Sequence, residues 1–178
     1  MKPFQLKTIL SSAQLGITIK RLDHQILENC PDPSNTCLIG IQPRGIWLSQ
    51  RLIQELRSIQ PGNAMKYGIL DITFYRDDVR SELKVANQTD INFSIEGKKV
   101  ILVDDVLYTG RTIRAALDAL MDFGRPSQVE LCVLIDRRFS RELPIQPDYT
   151  GKSIDSIITQ KVQVGWQENS GKDEVILF

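Results

Sequence analysis

The chain has 178 residues, of which 42% are hydrophobic and 25% are charged. These fractions are close to those of an average soluble globular protein, so they argue against fibrous and intrinsically disordered classes. Because 22 basic and 22 acidic residues cancel, the chain lacks the long-range attraction for nucleic acid of a strongly basic domain, although a local basic patch remains possible.

At the N-terminus, Met1 to Leu10 has neither the apolar run nor the small-residue cleavage site of a signal peptide. No later run approaches the roughly 18 apolar residues of a membrane span. The three cysteines, Cys30, Cys37 and Cys132, have no CxxC spacing and are expected to be reduced packing residues. We therefore expect a cytoplasmic protein without a membrane segment and without a metal site built from its own side chains.

The first half of the chain alternates predicted helices and strands. Ser11 to Glu28 has apolar residues at helical spacing and a capping box at its start. Cys37 to Ile41 is a short apolar run that predicts a buried strand, and a tight turn separates it from helical periodicity over Ile46 to Ile59. Tyr67 to Tyr75 then returns to a β-rich pattern.

Arg76 to Asn92 is a long polar connection, of a length that is uncommon unless the segment is functional or disordered. After it, Val100 to Val103 predicts a buried strand, Ile113 to Met121 a helix that ends at Gly124, and Val129 to Ile135 another strand. Segments around Val162 to Val164 and Val175 to Phe178 are candidate edge strands. The pattern predicts one α/β domain over residues 1–178, with a mainly parallel central sheet flanked by helices.

Two acids, Asp104 and Asp105, follow the strand Val100 to Val103, where parallel sheets place their ligands. Adjacent carboxylates there can accept hydrogen bonds from a sugar diol. The turn that follows leads into a helix N-terminus, where free N–H groups and the helix dipole favour phosphate. The candidate phosphate-binding residues are Val106, Leu107, Tyr108, Thr109, Gly110, Arg111 and Thr112. The alternative is that the acids form only a solvated helix cap.

Neither a Walker A loop nor a GxGxxG fingerprint is present in the sequence. Instead, residues 100–112 read VILVDDVLYTGRT and resemble the phosphoribosyl pyrophosphate signature of type I phosphoribosyltransferases. The resemblance extends over nearly the whole chain through the segments Ile39–Ile41, Arg44–Ile46, Asp71–Thr73, Tyr75–Asp78, Gly124–Pro126 and Arg141–Ile145. Together these segments resemble the PyrR family of pyrimidine operon regulators with uracil phosphoribosyltransferase activity.

The resemblance implies the fold of a type I phosphoribosyltransferase, with a mobile hood loop at Arg76 to Asn92. It implies that Asp104, Asp105 and Arg44 serve catalysis, that Gly45 and Arg80 contact pyrophosphate, and that Mg²⁺ binds through the substrate. The alternative for Arg44 is that it is only a surface arginine that caps a turn. The residues before it, Gln42-Pro43, depart from the threonine that is usual at this place. Uracil is implied to lie near Ile135, Asp136 and Arg137, read largely by backbone groups.

For regulation, the resemblance implies contact with a pyrimidine messenger-RNA leader through Lys20, Arg21, His24, Arg141 and Lys152, and a homodimer or higher homo-oligomer. An exposed basic helix face is the alternative for the first three. Asn29 and Gln146 stand where relatives carry arginine, and the segment Arg137 to Arg141 is longer than usual. Because each missing cation weakens phosphate contact, these departures bear on RNA affinity.

Three functions therefore follow as hypotheses from the sequence. The first is an enzyme that forms UMP and pyrophosphate from uracil and phosphoribosyl pyrophosphate. The second is a UMP-responsive RNA-binding attenuator, which can coexist with the enzyme or have little catalytic activity. The third is a purine-type phosphoribosyltransferase, which would share residues 100–112 but not the segment Arg141 to Ile145.

Overall fold

The structure is a computed structural model that describes residues 6–77, 87–157 and 159–178. In chain order, its helices and strands are β1 (Lys7–Leu10), α1 (Ser12–Glu28), β2 (Thr36–Ile41), α2 (Gly45–Ile59), β3 (Lys66–Leu70), β4 (Lys99–Leu107), α3 (Arg111–Leu120), β5 (Gln128–Arg138), β6 (Tyr149–Asp155), β7 (Val162–Gly165), α4 (Gln167–Ser170) and β8 (Glu174–Leu177). Short 3₁₀ turns lie at Pro33–Asn35, Thr73–Tyr75 and Met121–Phe123.

The central sheet has five parallel strands in the order β3-β2-β4-β5-β6. Alternate residues of its inner strands point into two different apolar layers, as the two-residue period of a strand requires. Leu38 and Ile101 join the layer that contains the buried faces of α1 and α2, whereas Ile39 and Leu102 join the layer that contains α3. The predicted α/β class, with a parallel sheet covered by helices, is therefore confirmed.

Helix α1 begins as its sequence predicts. The Ser11 side chain accepts a hydrogen bond from the Gln14 backbone N–H, and the Gln14 side chain accepts one from the Ser11 backbone N–H. These two bonds satisfy donors that a helix N-terminus otherwise leaves free. The three cysteines are buried and free, which agrees with their predicted role as packing residues.

Several predicted strand bounds differ from the structure. The strand expected over Tyr67 to Tyr75 ends at Leu70, because its partner β2 ends at Ile41, which lies opposite Leu70. The two C-terminal segments do form strands, β7 and β8, but they do not extend the central sheet. They pair antiparallel in a separate three-stranded sheet of order β1-β8-β7.

No strand was predicted for β1 or β6. Strand β6 is an edge strand with the sequence YTGKSID, which lacks an apolar run that would mark it. Within the described residues, none of the helices is both long enough and apolar enough to cross a bilayer.

Candidate active site

The acid pair lies inside β4, not after it as the sequence suggested. Strand β2 pairs with β4 as far as Val103, whereas β5 continues to pair with β4 as far as Leu107. Asp104 and Asp105 therefore extend beyond one neighbouring strand while the other still holds their backbone. Both residues are buried, at 5% exposure each.

The two carboxyl groups influence each other electrostatically. Burial raises the pKa of Asp104 well above its usual range, and the neighbouring Asp105 carboxylate raises it further. Burial also raises the pKa of Asp105, while the Arg44 guanidinium acts in the opposite direction. The Asp105 backbone N–H donates to Asp104 Oδ1 at 2.9 Å. Hydroxyl donors or a cation beside these carboxylates would favour their ionised forms.

The segment after β4 turns sharply into α3. Gly110 takes a left-handed conformation at φ +95° and forms the N-cap of α3 without a side-chain hydrogen bond. A side chain is disfavoured at this φ, and a Cβ there would also lie 3.2 Å from the Ile145 side chain. Glycine therefore lets the turn present the N-terminus of α3, where helix N–H groups favour an anion.

The turn formed by residues 106–112, the phosphate-loop candidate, is held in place by the segment Arg141 to Ile145. The backbone N–H groups of Glu142 and Leu143 donate to the Thr109 carbonyl at 3.0 and 3.2 Å. The Glu142 carboxylate also accepts from Arg111 Nε at 2.7 Å, and Arg111 forms a second ion pair with Asp77. The conformation of the turn is thus fixed by a segment that follows β5.

Arg44 and Gly45 lie where α2 begins, next to β4. A Cβ on Gly45 would lie 2.3 Å from the Val103 carbonyl oxygen, so only glycine allows the helix N-terminus to approach this strand so closely. Arg44 is exposed, and the Gln42–Pro43 peptide bond before it is cis. The close approach brings Arg44 beside the acid pair.

A cavity of about 700 Å³ brings most of the predicted substrate residues together. Its wall contains the following predicted residues: Arg44, Asp104, Asp105, all seven of Val106 to Thr112, and Arg137. Gly45, Ile135 and Asp136 are not in its wall. Ile135 is fully buried in the core, Asp136 pairs with Arg141, and Arg80 lies outside the described residues.

Other residues of the cavity wall were not identified from the sequence as site residues. They are Gln42, Pro43, Ile72, Thr73, Arg76, Asn87, Ile113 and Val162. A second cavity of about 680 Å³ shares Pro43, Arg44, Asp105, Arg137 and Val162 with the first, and Trp47, Trp166 and Phe178 also line it. Trp166 and Phe178 come from the C-terminal region, and no local motif connects that region with the phosphate loop.

Four of the five predicted RNA-contact residues lie close together. Lys20, Arg21 and His24 are exposed on α1, and Lys152 is exposed on β6. Arg21 donates to the carbonyls of Thr150 and Gly151, the two residues before Lys152. These residues form a basic surface, defined here as Lys20, Arg21, His24 and Lys152.

Arg141 has a different environment from the basic surface. Its guanidinium donates to the carbonyls of Tyr108, Arg137 and Ile145 and to the Asp136 carboxylate. These internal bonds tie the phosphate-loop candidate to the end of β5. RNA contact by Arg141 stays a prediction, and it would require this side chain to leave or share these partners.

Comparison with known proteins places this geometry in a family context. Residues 5–169 match the model of the phosphoribosyl transferase domain. A protein named "Bifunctional protein PyrR" from Elusimicrobium minutum is 46% identical over 174 residues, which cover 97% of this chain and 96% of the relative. Its namesake from Bacillus mycoides is 45% identical over 174 residues and covers 96% of both chains.

Solved structures agree with the fold. A hypoxanthine-guanine phosphoribosyltransferase from Bacillus anthracis aligns over 98% of both chains with a TM-score of 0.71 and 21% identity. A hypoxanthine phosphoribosyl transferase from Trypanosoma cruzi aligns over 100% of this chain and 94% of its own, with a TM-score of 0.73 and 18% identity. At these identities the similarity concerns the fold, not the choice of base.

Proposed function

The chain belongs to the phosphoribosyl transferase domain family and, within it, to the PyrR family, and on this premise we propose that it makes UMP from uracil and phosphoribosyl pyrophosphate. The observation that carries the proposal is the shared cavity. It unites a phosphate loop at a helix N-terminus, a buried acid pair and an arginine at the carboxyl end of a parallel sheet. Such a site offers separate contacts for phosphate, sugar diol and pyrophosphate.

The reaction breaks the bond between the anomeric carbon and pyrophosphate and forms a bond from that carbon to a base nitrogen, whose proton leaves to the pyrophosphate or to solvent. Positive charge develops on the ribose and negative charge on the leaving group, so positioning and electrostatics suffice without a nucleophilic side chain. We assign Asp104 and Asp105 to the ribose hydroxyls, and residues 106–112 to the 5′-phosphate. Arg44 and the Gly45 backbone are assigned to pyrophosphate, since an arginine can grip phosphate with two parallel hydrogen bonds.

The donor set is compatible with Mg²⁺ carried in by the substrate. Two buried neighbouring carboxylates supply oxygen atoms, which this cation prefers, and a positive charge nearby would oppose the burial and the repulsion by Asp105 that raise the pKa of Asp104. When bound, Mg²⁺ would neutralise charge on the pyrophosphate leaving group. Asp104 and Asp105 would hold it directly or through water while they orient the diol.

The first experiment measures pyrophosphate release from phosphoribosyl pyrophosphate with Mg²⁺, offering uracil, hypoxanthine, guanine and orotate in parallel. We expect uracil-selective turnover. Turnover with a purine instead would support the purine-type alternative. No turnover with any base, together with retained UMP binding, would leave a nucleotide-sensing regulator.

As a second function, we propose UMP-responsive binding of a pyrimidine messenger-RNA leader. The basic surface supports this, because it gathers three cationic side chains and His24 on a chain with no net charge. Asn29 is exposed at the end of α1 and contributes no cation there. A gel-shift assay with and without UMP tests the proposal, and light scattering tests the expected homodimer or higher homo-oligomer.

A further inference from the structure

Arg137 occupies an unusual place at the end of β5. It is only 6% exposed, yet it lines both cavities. Its guanidinium carbon lies 4.0 Å from the centroid of the Tyr108 ring, a stacked geometry in which an arginine is attracted to an aromatic face. Arg137 therefore connects the phosphate-loop candidate with the second cavity.

The guanidinium plane is fixed by three acceptors that follow β6. Arg137 Nε donates to Ser156 Oγ at 2.8 Å, and Nη2 donates to the carbonyls of Gln160 at 2.9 Å and Ile157 at 3.4 Å. Among the described residues, Nη1 makes no hydrogen bond. The two N–H groups of Nη1 can therefore donate to an acceptor atom of a ligand in the cavities.

Ser156 differs from the other two acceptors because it acts through its side chain. It is 8% exposed and follows β6 directly, where Arg137 lies opposite Ile154 in the strand register. A substitution can remove the Ser156 hydroxyl, whereas the two backbone carbonyls remain in every variant. Ser156 is therefore the position at which the orientation of Arg137 can be tested alone.

The surroundings of Arg137 include aromatic surface against which a planar base can pack. Trp47, Trp166 and Phe178 line the second cavity, and Val162 lines both cavities. The rest of the second cavity's wall is largely polar, with Arg44, Asp105, Lys161, Gln163 and Asn169. Aromatic surface combined with placed polar groups is typical of sites for flat organic ligands. The phosphate-loop residues 109–112, in contrast, line the first cavity alone.

We propose that Ser156 is a positioning residue for base recognition, whose hydroxyl orients Arg137 against Tyr108 so that Nη1 donates to a carbonyl oxygen of the pyrimidine. The inference rests on the proposed function, because it assumes that a pyrimidine base binds in the cavity beside Arg137. Ser156 itself does not touch the substrate. Its effect is transmitted through Arg137.

The test is steady-state kinetics of uracil transfer by Ser156→Ala. Losing a hydrogen bond to a charged group should raise KM for uracil about tenfold. KM for phosphoribosyl pyrophosphate and kcat should stay within about twofold, because the phosphate loop keeps its own contacts. Ser156→Thr retains the hydroxyl and should restore the wild-type KM. Ser153→Ala, at an exposed serine on β6 three residues earlier, is the control and should behave as wild type.

A double-mutant cycle tests whether Ser156 acts through Arg137. Arg137→Lys loses the forked geometry that reaches Ser156 and the stacked plane. Ser156→Ala should therefore raise KM for uracil in the wild-type background and have no further effect in the Arg137→Lys background.

The outcomes separate the two proposals. If wild-type protein shows no uracil-dependent pyrophosphate release, the proposed function fails and this inference fails with it. If wild type is active but Ser156→Ala matches Ser153→Ala, the inference alone is wrong. It is also wrong if Ser156→Ala raises both KM values equally and lowers Tm, or if the two substitutions act independently, because either result indicates a general structural role.

Discussion

Asp104 is a residue at which stability and the proposed activity oppose each other. Its carboxyl is buried beside a second carboxyl, and both burial and that neighbour raise its pKa. We expect Asp104→Asn to lower kcat/KM for uracil transfer on the order of 10²–10³-fold, by analogy with the loss of one preorganised electrostatic partner. The same change should not lower Tm, because it replaces a buried acid with a neutral group of similar shape.

The comparison uses pyrophosphate release together with thermal unfolding. Asp118→Asn, at an exposed position of α3 that pairs with Arg114, is the matched control and should retain activity. An Asp104→Asn protein that keeps a near-wild-type rate would contradict the assignment of the acid pair to the ribose.

Asp23 predicts a pH dependence of folding stability. Its side chain is fully buried and neither carboxyl oxygen has a hydrogen-bond partner among the described residues. Burial, together with the Glu55 carboxylate, raises its pKa to about 8. The unfolded chain loses this proton near pH 4, whereas the folded protein keeps it to about pH 8. Raising the pH between these values therefore favours unfolding.

Urea unfolding of wild type and Asp23→Asn from pH 5 to pH 9 tests this. The stability of the variant relative to wild type should rise by about 1.4 kcal/mol per pH unit and level off above about pH 8. Glu55→Gln removes one cause of the shift, so it should move the levelling point to lower pH. A difference that does not change with pH would show that Asp23 titrates normally.

The strands and helices that have apolar periodicity could be predicted from the sequence. The buried runs of β2 and β4 and the capping box of α1 were found because each signal is local. Strand β6 was missed, because an edge strand needs few apolar residues. The extension of β4 through Asp104 and Asp105 was missed too, because the pairing that holds these acids comes from β5.

In the candidate site, too, residues with a local sequence signal could be predicted and residues placed by long-range packing could not. The residues from Val106 to Thr112 were predicted from one contiguous motif, and all seven line the first cavity. Val162 and Ser156 could not be predicted, because their place beside the site depends on how the C-terminal half packs. The contacts of Arg141 illustrate the same limit, since its partners lie at Tyr108, at Asp136 and Arg137, and at Ile145, which are three separate stretches of the chain.

The basic surface on α1 and β6 leads to a prediction for RNA binding. Lys20 is exposed, so its charge can contact phosphate without rearrangement of the core. We expect Lys20→Gln to weaken binding of a pyrimidine leader RNA and to reduce the slope of log K against log salt by about 0.7–0.9. Gel-shift titrations at several salt concentrations measure both quantities.

Lys172→Gln is the matched control for the loss of one positive charge. Lys172 is exposed and pairs with Glu174 on the small antiparallel sheet, and it is not part of the basic surface. An equal loss of affinity in both variants would mean that net charge, and not the basic surface, governs binding.

The two cavities connect elements that are distant in sequence. The phosphate loop starts at the end of β4, Arg137 is the second-last residue of β5, and Val162 begins β7 in the separate sheet. A ligand that contacts all of them stabilises the folded chain over the unfolded chain by mass action. Thermal unfolding therefore reports binding even where catalysis is weak.

We expect UMP at about one hundred times its dissociation constant to add ~2.7 kcal/mol to the free energy of unfolding. For a chain of this size, that corresponds to a rise in Tm of roughly 5–10 °C. IMP and GMP at the same concentration should give smaller shifts, and inorganic phosphate a smaller one still, because it contacts the phosphate loop alone.

Thr109→Val, which removes a hydroxyl from that loop, should reduce the UMP shift. A larger shift with IMP or GMP than with UMP would mean that the cavity beside Arg137 binds purine bases. That result would overturn the pyrimidine proposal, even if the phosphate loop functions as proposed.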